Sequence, residues 1–293
     1  MCPLCHPQTS VSLNAWNRRR GFLLAAASAA AVAAALPASA QVDVGKSSQY
    51  RNLVPAESLE KAASQQYAQT LSEARAKSAL APDNNPQLVK LRTIAQRLIP
   101  YTPQWNGRVS KWNWEINLIN SKQINAWCMP GGKIAFYTGI LDQLKLTDDE
   151  IAMIMGHEMA HALREHARER VAKSQATGIG LSVLSQVLGL GQMGDVAAGL
   201  GTQLLTMKFS REDETEADIV GMDLAARAGY NPAAGVTLWQ KMITAAKGSP
   251  PQFLSTHPAG NTRIKDIQSK LPKVVPLYQR AAKAGRNFGP PAA

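Results

Sequence analysis

The stretch Met155-Gly156-His157-Glu158-Met159-Ala160-His161 carries the pattern H-E-x-x-H. On a helix, histidines four apart lie on one face, a turn apart, so both imidazoles reach one metal ion. The glutamate beside the first histidine can then take a proton from a metal-activated water. Five residues match by chance in many chains, so the surroundings decide. Thr147 with Glu150 forms a capping box that starts a helix at Asp148, and Ile151, Ile154, Met155 and Ala162 ride on that helix with the motif. Two surface histidines on an amphipathic helix are the plain alternative; the downstream acids favour zinc, one ion per chain.

A catalytic zinc keeps three protein ligands and an open position. His166 lies five residues beyond His161, about 140° around the helix, and cannot join the pair unless the helix breaks. The metzincin pattern needs a glycine and a histidine where Arg164 and Ala167 stand. The remaining source is Arg211-Glu212-Asp213-Glu214-Thr215-Glu216-Ala217-Asp218, a helix start with Ser210 as N-cap. Glu214 and Asp218, four apart, fall beside Ala217 and Gly221, small residues that allow close packing. Glu214 is therefore the expected third ligand and Asp218 the carboxylate that orients a histidine. Glu216 points about 160° away and is expected in solvent. An acidic first turn favoured by the helix dipole accounts for Glu212 and Asp213, but not for acids on the packed face.

Residues 1–40 hold no acid; Arg18, Arg19 and Arg20 precede an apolar run from Gly21 to Leu36, and Ala38-Ser39-Ala40 offers a cleavage site. The expectation is an export signal, and Arg19-Arg20-Gly21-Phe22-Leu23 fits the twin-arginine type, with an ordinary secretory signal as the alternative. The run is too short and alanine-dominated for a transmembrane anchor. Its removal would leave a soluble periplasmic protein with Cys128 as the lone cysteine, so no internal disulfide is expected. Losing three arginines and no acids takes the formal charge from +11 to +8. That excess permits weak contact with an anionic membrane surface, while no nucleic-acid module is spelled out.

Residues 41–85 read as an N-terminal helical segment, with Leu59, Ala63, Tyr67, Leu71 and Ala74 at helical spacing. A second helix is expected from about Gln87 to Ile99. Strands follow at Trp114 to Ile119, Asn125 to Met129 and Lys133 to Tyr137, the last two joined by a Pro130-Gly131-Gly132 turn. The rest is helical, and the tail 272–293 looks loosely structured. This is an α+β domain, mainly helical, with a small antiparallel sheet beside the zinc-binding helix.

These blocks together resemble the family forty-eight zinc metallopeptidases, the group of the CAAX-prenyl endopeptidases, HtpX and BepA, and most closely its soluble Oma-like bacterial branch. The resemblance runs from about Leu88 to Ile267. It rests on Asn125-Ala126-Trp127-Cys128-Met129-Pro130-Gly131-Gly132-Lys133-Ile134, Thr138-Gly139, the H-E-x-x-H run, the acidic run to Asp218, and Ser255-Thr256-His257-Pro258 with Arg263-Ile264. It implies a gluzincin-type peptidase domain over residues 86–271, endopeptidase activity, and ligands matching His157, His161 and Glu214. The transmembrane helices of embedded members and the helical-repeat domain of BepA-like members are not expected here.

The resemblance further implies that Glu158 is the proton acceptor and that His257 acts at the metal. His257 either stabilises the oxyanion or occupies the open zinc position to hold the enzyme latent. Asn125, Ala126, Trp127 and Cys128 resemble the edge strand that pairs with an extended substrate backbone, which selects unfolded segments over sequence. Cys128 is then a strand residue near the cleft, not a nucleophile. Arg263 braces the His257 loop or touches substrate. Thr177 to Met207 is expected as a packed helical hairpin over the site, with a lid or membrane contact as the alternative. The leading functional expectation is a periplasmic endopeptidase that removes misfolded or unassembled envelope proteins, some membrane-associated. A holdase-like assembly factor and a single-substrate processing protease are the competitors.

Overall fold

The computed structural model describes residues 42–176, 204–247, 251–258 and 261–286. The segment expected to be an export signal and most of the Thr177 to Met207 expectation lie outside these residues. Helix α1 (Ala56–Ala76) lays Leu59, Ala63 and Tyr67 inward. The Tyr67 hydroxyl donates to the Ile134 carbonyl at 2.9 Å and accepts from Asn117 Nδ2 at 3.0 Å, which fixes α1 onto the sheet. Helix α2 (Pro86–Leu98) begins where Asn85 accepts from the Gln87 and Leu88 amides, with Pro86 in the first turn.

Strands β1 (Glu115–Ile119), β2 (Ala126–Met129) and β3 (Lys133–Tyr137) form one sheet in the order β1-β3-β2. The sheet is mixed, not wholly antiparallel as expected from sequence. The β2–β3 hairpin is antiparallel, turning at Gly131 and Gly132, both at positive φ. β1 runs parallel to β3, because residues 120–132 act as a crossover that carries β2 to the far edge. Side chains alternate across the sheet. Ile116, Leu118, Ile134 and Phe136 join the main core, while Ile119, Trp127, Met129 and Ala135 pack with Tyr67 beneath α1.

After α3 (Thr138–Leu144) comes α4 (Asp148–Leu163), and both halves of its Thr147–Glu150 capping box are made. Every residue of α4 from Asp149 to Leu163 is buried, so this helix is the axis of the domain. α4 ends at Arg164; Glu165 takes a left-handed φ of 60°, and α5 (His166–Ala176) departs in a new direction. Helix α6 (Arg211–Ala228) opens with a second capping box, Ser210 with Asp213, and closes at Gly229 in the left-handed region. α7 (Ala234–Ala245) and the short α8 (Gln252–Thr256) complete the wall around α4.

Helix α9 (Asn261–Lys283) continues past Pro272 into the tail expected to be loose. Val274, Leu277 and Ala281 recur at helical spacing and are buried. Pro272 and Pro276 lie on its exposed side, where water can take up the carbonyls that lack an N–H partner. Burial of the apolar face outweighs the two missing backbone bonds. No described helix is long and apolar enough to cross a membrane.

Candidate metal centre

α4 and α6 cross where Gly156 meets Gly221, and neither position has room for a Cβ. This backbone-to-backbone approach brings the two motifs face to face. His157 and His161 from α4 meet Glu214 from α6, and His257 arrives from the end of α8. The facing nitrogens His157 Nε2 and His161 Nε2 lie 3.1 Å apart. Glu214 Oε2 is 3.5 Å from His157 Nε2, and Glu214 Oε1 is 3.5 Å from His161 Nε2. His257 Nδ1 sits 3.0 Å from Glu214 Oε1 and 3.3 Å from His157 Nε2.

Metal–nitrogen bonds of 2.0–2.1 Å in a tetrahedron place ligand atoms roughly 3.3 Å apart. The spacings above, 3.0–3.5 Å with both Glu214 oxygens counted, lie near that edge length, and the ligand atoms of all four residues fall within 4.8 Å of one another. Three imidazole nitrogens and a carboxylate turned toward one point, all buried, are a borderline-soft donor set suited to zinc. Burial, with His157 and His257 alongside, pushes the His161 pKa well down, so this imidazole is held in the neutral form that ligates a metal.

Behind His157, Asp218 Oδ1 meets Nδ1 at 3.0 Å. Arg263 donates from Nε to Asp218 Oδ2 at 2.8 Å and from Nη2 to Oδ1 at 2.7 Å. Its Nη1 also pairs with Glu214, and the guanidinium lies 3.7 Å from the Trp239 ring centre. Burial alone would raise the Asp218 pKa, but Arg263 and the His157 contact override it and hold the carboxyl at about 2. Arg263 Nη1 also donates to the Pro258 carbonyl at 3.3 Å, so of the two roles expected for Arg263, bracing the His257 loop or touching substrate, its contacts are those of a brace. Two carboxylates on α6 draw it inward, and it braces both.

Glu158 faces the other way, toward a cavity lined by β2 together with His161, Met207, Phe209 and His257. Burial raises its pKa, an effect partly offset by His257 and His157. One of its oxygens, Oε1, has no hydrogen-bond partner and lies 3.5 Å from His257 Nε2. Asn125, Ala126, Trp127 and Cys128 all border this cavity. Burial, reinforced by Glu158, pushes the Cys128 thiol well above its ordinary value, which removes it as a nucleophile.

Sequence reasoning missed several neighbours. Phe209 stacks on the His161 ring at 3.9 Å, and Phe253 stacks on His257 at 4.5 Å. A phenylalanine outside any motif carries no signal for such a role. Glu216, expected in solvent, is half-buried and pairs with Arg164 at 2.7 Å. The helix break at Arg164 turns the chain back over it.

The model of Peptidase family M48 matches residues 89–271. The chain is 34% identical over 176 residues to the mitochondrial metalloendopeptidase OMA1 of Arabidopsis thaliana, covering 60% of this chain and 35% of that protein. It is 30% identical over 214 residues to metalloprotease LoiP of Escherichia coli, covering 69% and 78%. To the beta-barrel assembly-enhancing protease of the same organism it is 25% identical over 213 residues, covering 68% and 42%. The chain spans about a third to three-fifths of the plant and yeast mitochondrial relatives it matches.

Proposed function

The chain belongs to peptidase family M48, and from that premise we propose that it is a periplasmic zinc endopeptidase cleaving misfolded or unassembled envelope proteins. What carries this reading is three imidazoles and a carboxylate, buried with their ligand atoms within 4.8 Å of one another, beside a buried glutamate that lines the cavity and has one oxygen without a hydrogen-bond partner. When bound, zinc supplies Lewis-acid polarisation of the attacking water and the scissile carbonyl. Glu158 takes the water's proton on Oε1 and delivers it to the leaving amine. Its raised pKa suits both halves of that transfer, since a very weak base could not accept the proton. His157, His161 and Glu214 hold the ion, and Asp218 orients His157.

β2 is the sheet edge beside Glu158, and an extended polypeptide can add to it as a further strand. Backbone pairing of that kind selects segments that are already unfolded. His257 Nδ1 stands among the metal-facing atoms, which supports its use as a latency ligand that must leave before substrate enters. Envelope substrates are supported by the export signal expected at residues 1–40 and by the Escherichia coli relative named for enhancing beta-barrel assembly.

The test is cleavage of unfolded and native envelope proteins by the purified protein, with zinc and after chelation, beside Glu158→Gln. Zinc-dependent cutting of the unfolded set, absent in the variant, is the expected result. Protection from aggregation that survives in Glu158→Gln, with no cutting by either protein, overturns the reading in favour of a holdase.

A further inference from the structure

His166 was ruled out as a ligand by its place on the helix, yet it lies within contact of one. Its Nδ1 is 2.9 Å from Nδ1 of His161, and both rings are buried. Two ring nitrogens at that distance share one proton, so one donates and the other accepts. His161 Nε2 faces the donor cluster and must be bare to bind a metal. The His161 proton therefore sits on Nδ1 and is donated to His166 Nδ1. That leaves the His166 proton on Nε2, which points at Glu216 Oε2, 3.4 Å away. Glu216 is in turn held by Arg164 Nε at 2.7 Å. One set of tautomers satisfies the whole chain of contacts.

We infer that His166, backed by Glu216, is a positioning residue that fixes the tautomer and ring orientation of His161. This deepens the zinc reading and rests on His161 being a ligand. The two histidines of the motif are then supported in parallel. Asp218 acts directly on His157; Glu216 acts on His161 through an intervening imidazole.

The break between α4 and α5 makes this possible. Had the helix continued, His166 would stand about 140° from His161. Glu165 instead adopts a left-handed φ of 60°, a conformation unfavourable for a non-glycine residue. Arg168 at 2.8 Å and Arg51 at 3.4 Å hold Glu165 there, and Asn106 Nδ2 donates to the Leu163 carbonyl at 3.0 Å. Strain kept in place by that many contacts, next to a ligand, needs a return; the His166 contact supplies one.

The measurement is zinc affinity by competition against a chromophoric chelator, with wild type, His166→Leu, His166→Asn and Glu216→Ala. Leucine fills much of the ring's space without an acceptor, and asparagine places Oδ1 about where Nδ1 stood. His166→Leu should bind about 10- to 100-fold more weakly, the usual cost of losing such support. His166→Asn should recover to within a few-fold of wild type. Glu216→Ala should show a smaller loss, since its contact with His166 is the longer one. In zinc-loaded wild type the His161 Nδ1–H proton should resonate at low field by NMR, persisting in His166→Asn and vanishing in His166→Leu. Should His166→Leu not fold, the other two variants and the proton signal decide. Equal affinity in all variants, or asparagine as weak as leucine, overturns the relay while the zinc site stands. Wild type that takes up no zinc overturns both.

Discussion

Replacing Gly221 with alanine tests whether the helix crossing sets the metal geometry. A Cβ at Gly221 would lie 2.7 Å from the His157 amide nitrogen and 3.0 Å from the Gly156 carbonyl carbon. Ordinary contact begins at 3.4 Å, so α4 and α6 must part by at least about 0.7 Å. All the obstructing atoms are backbone and cannot rotate away. α4 carries His157 and His161, and α6 carries Glu214 and Asp218, so the shift opens the ligand cluster. Metal sites tolerate about 0.2 Å. Overpacking costs roughly 1–3 kcal/mol, partly offset by the ~1 kcal/mol that alanine gains over glycine within a helix. We expect a small loss of metal-free stability in urea unfolding and at least a tenfold loss of zinc affinity. Gly235→Ala is the control, because its Cβ meets side chains only, the flexible end of Met153 at 3.1 Å and Ile267 at 3.6 Å in ordinary contact. Zinc affinity unchanged in Gly221→Ala, with metal-free stability raised by the full helix gain, would refute the claim that this crossing is tight.

Glu158→Gln should retain zinc and lose at least about 100-fold in peptide hydrolysis, read on an unfolded reporter; residual turnover near wild type would reassign the base. His257→Ala should raise basal casein cleavage if the residue caps the metal; a fall of roughly 100- to 1000-fold, the cost of losing an oxyanion donor, would show the opposite role. Arg263→Gln leaves Asp218 and Glu214 buried without their cation. It should cost about 3–5 kcal/mol in unfolding and weaken zinc binding. A rise in KM alone, with zinc intact, would instead return Arg263 to the substrate.

What could be read in advance was whatever the chain states locally. The α4 start is written in Thr147 and Glu150, and the α6 start in Ser210 and Asp213, each pair satisfying the other within four residues. The inward face of α6 was legible because Glu214 and Asp218 share it with Ala217 and Gly221. The β2–β3 hairpin was legible from Pro130-Gly131-Gly132, whereas the parallel pairing of β1 with β3 depends on contacts no local pattern records. The break after Arg164 carries no glycine or proline; ion pairs from Arg51 and Arg168 impose it. Hence Glu216 was misplaced in solvent, and the contact of His166 with His161 could not be read. Pro272 and Pro276 misled in the other direction, since local breakers yielded to burial of Val274 and Leu277.

The charges around the centre point to the same ion as the distances do. With neutral imidazoles and ionised carboxyls, Glu158, Glu214 and Asp218 bring three negative charges and Arg263 one positive, a net of minus two in a buried site. Uncompensated charge of that size is costly away from water. Without a cation, the relief open to the site is to keep a proton on Glu158, whose pKa burial raises, or on His257, where burial is outweighed by Glu158 and Glu214 and the pKa is raised. A divalent ion brings the sum to zero with all three carboxylates ionised, and it does so at the moment Glu158 is needed as a base. The raised pKa and the metal-facing cluster are thus two sides of one electrostatic arrangement. It explains why a chain that gathers His157, His161, Glu214 and His257 around one point also keeps an arginine beside them: one cation too few without the metal, and none too many with it.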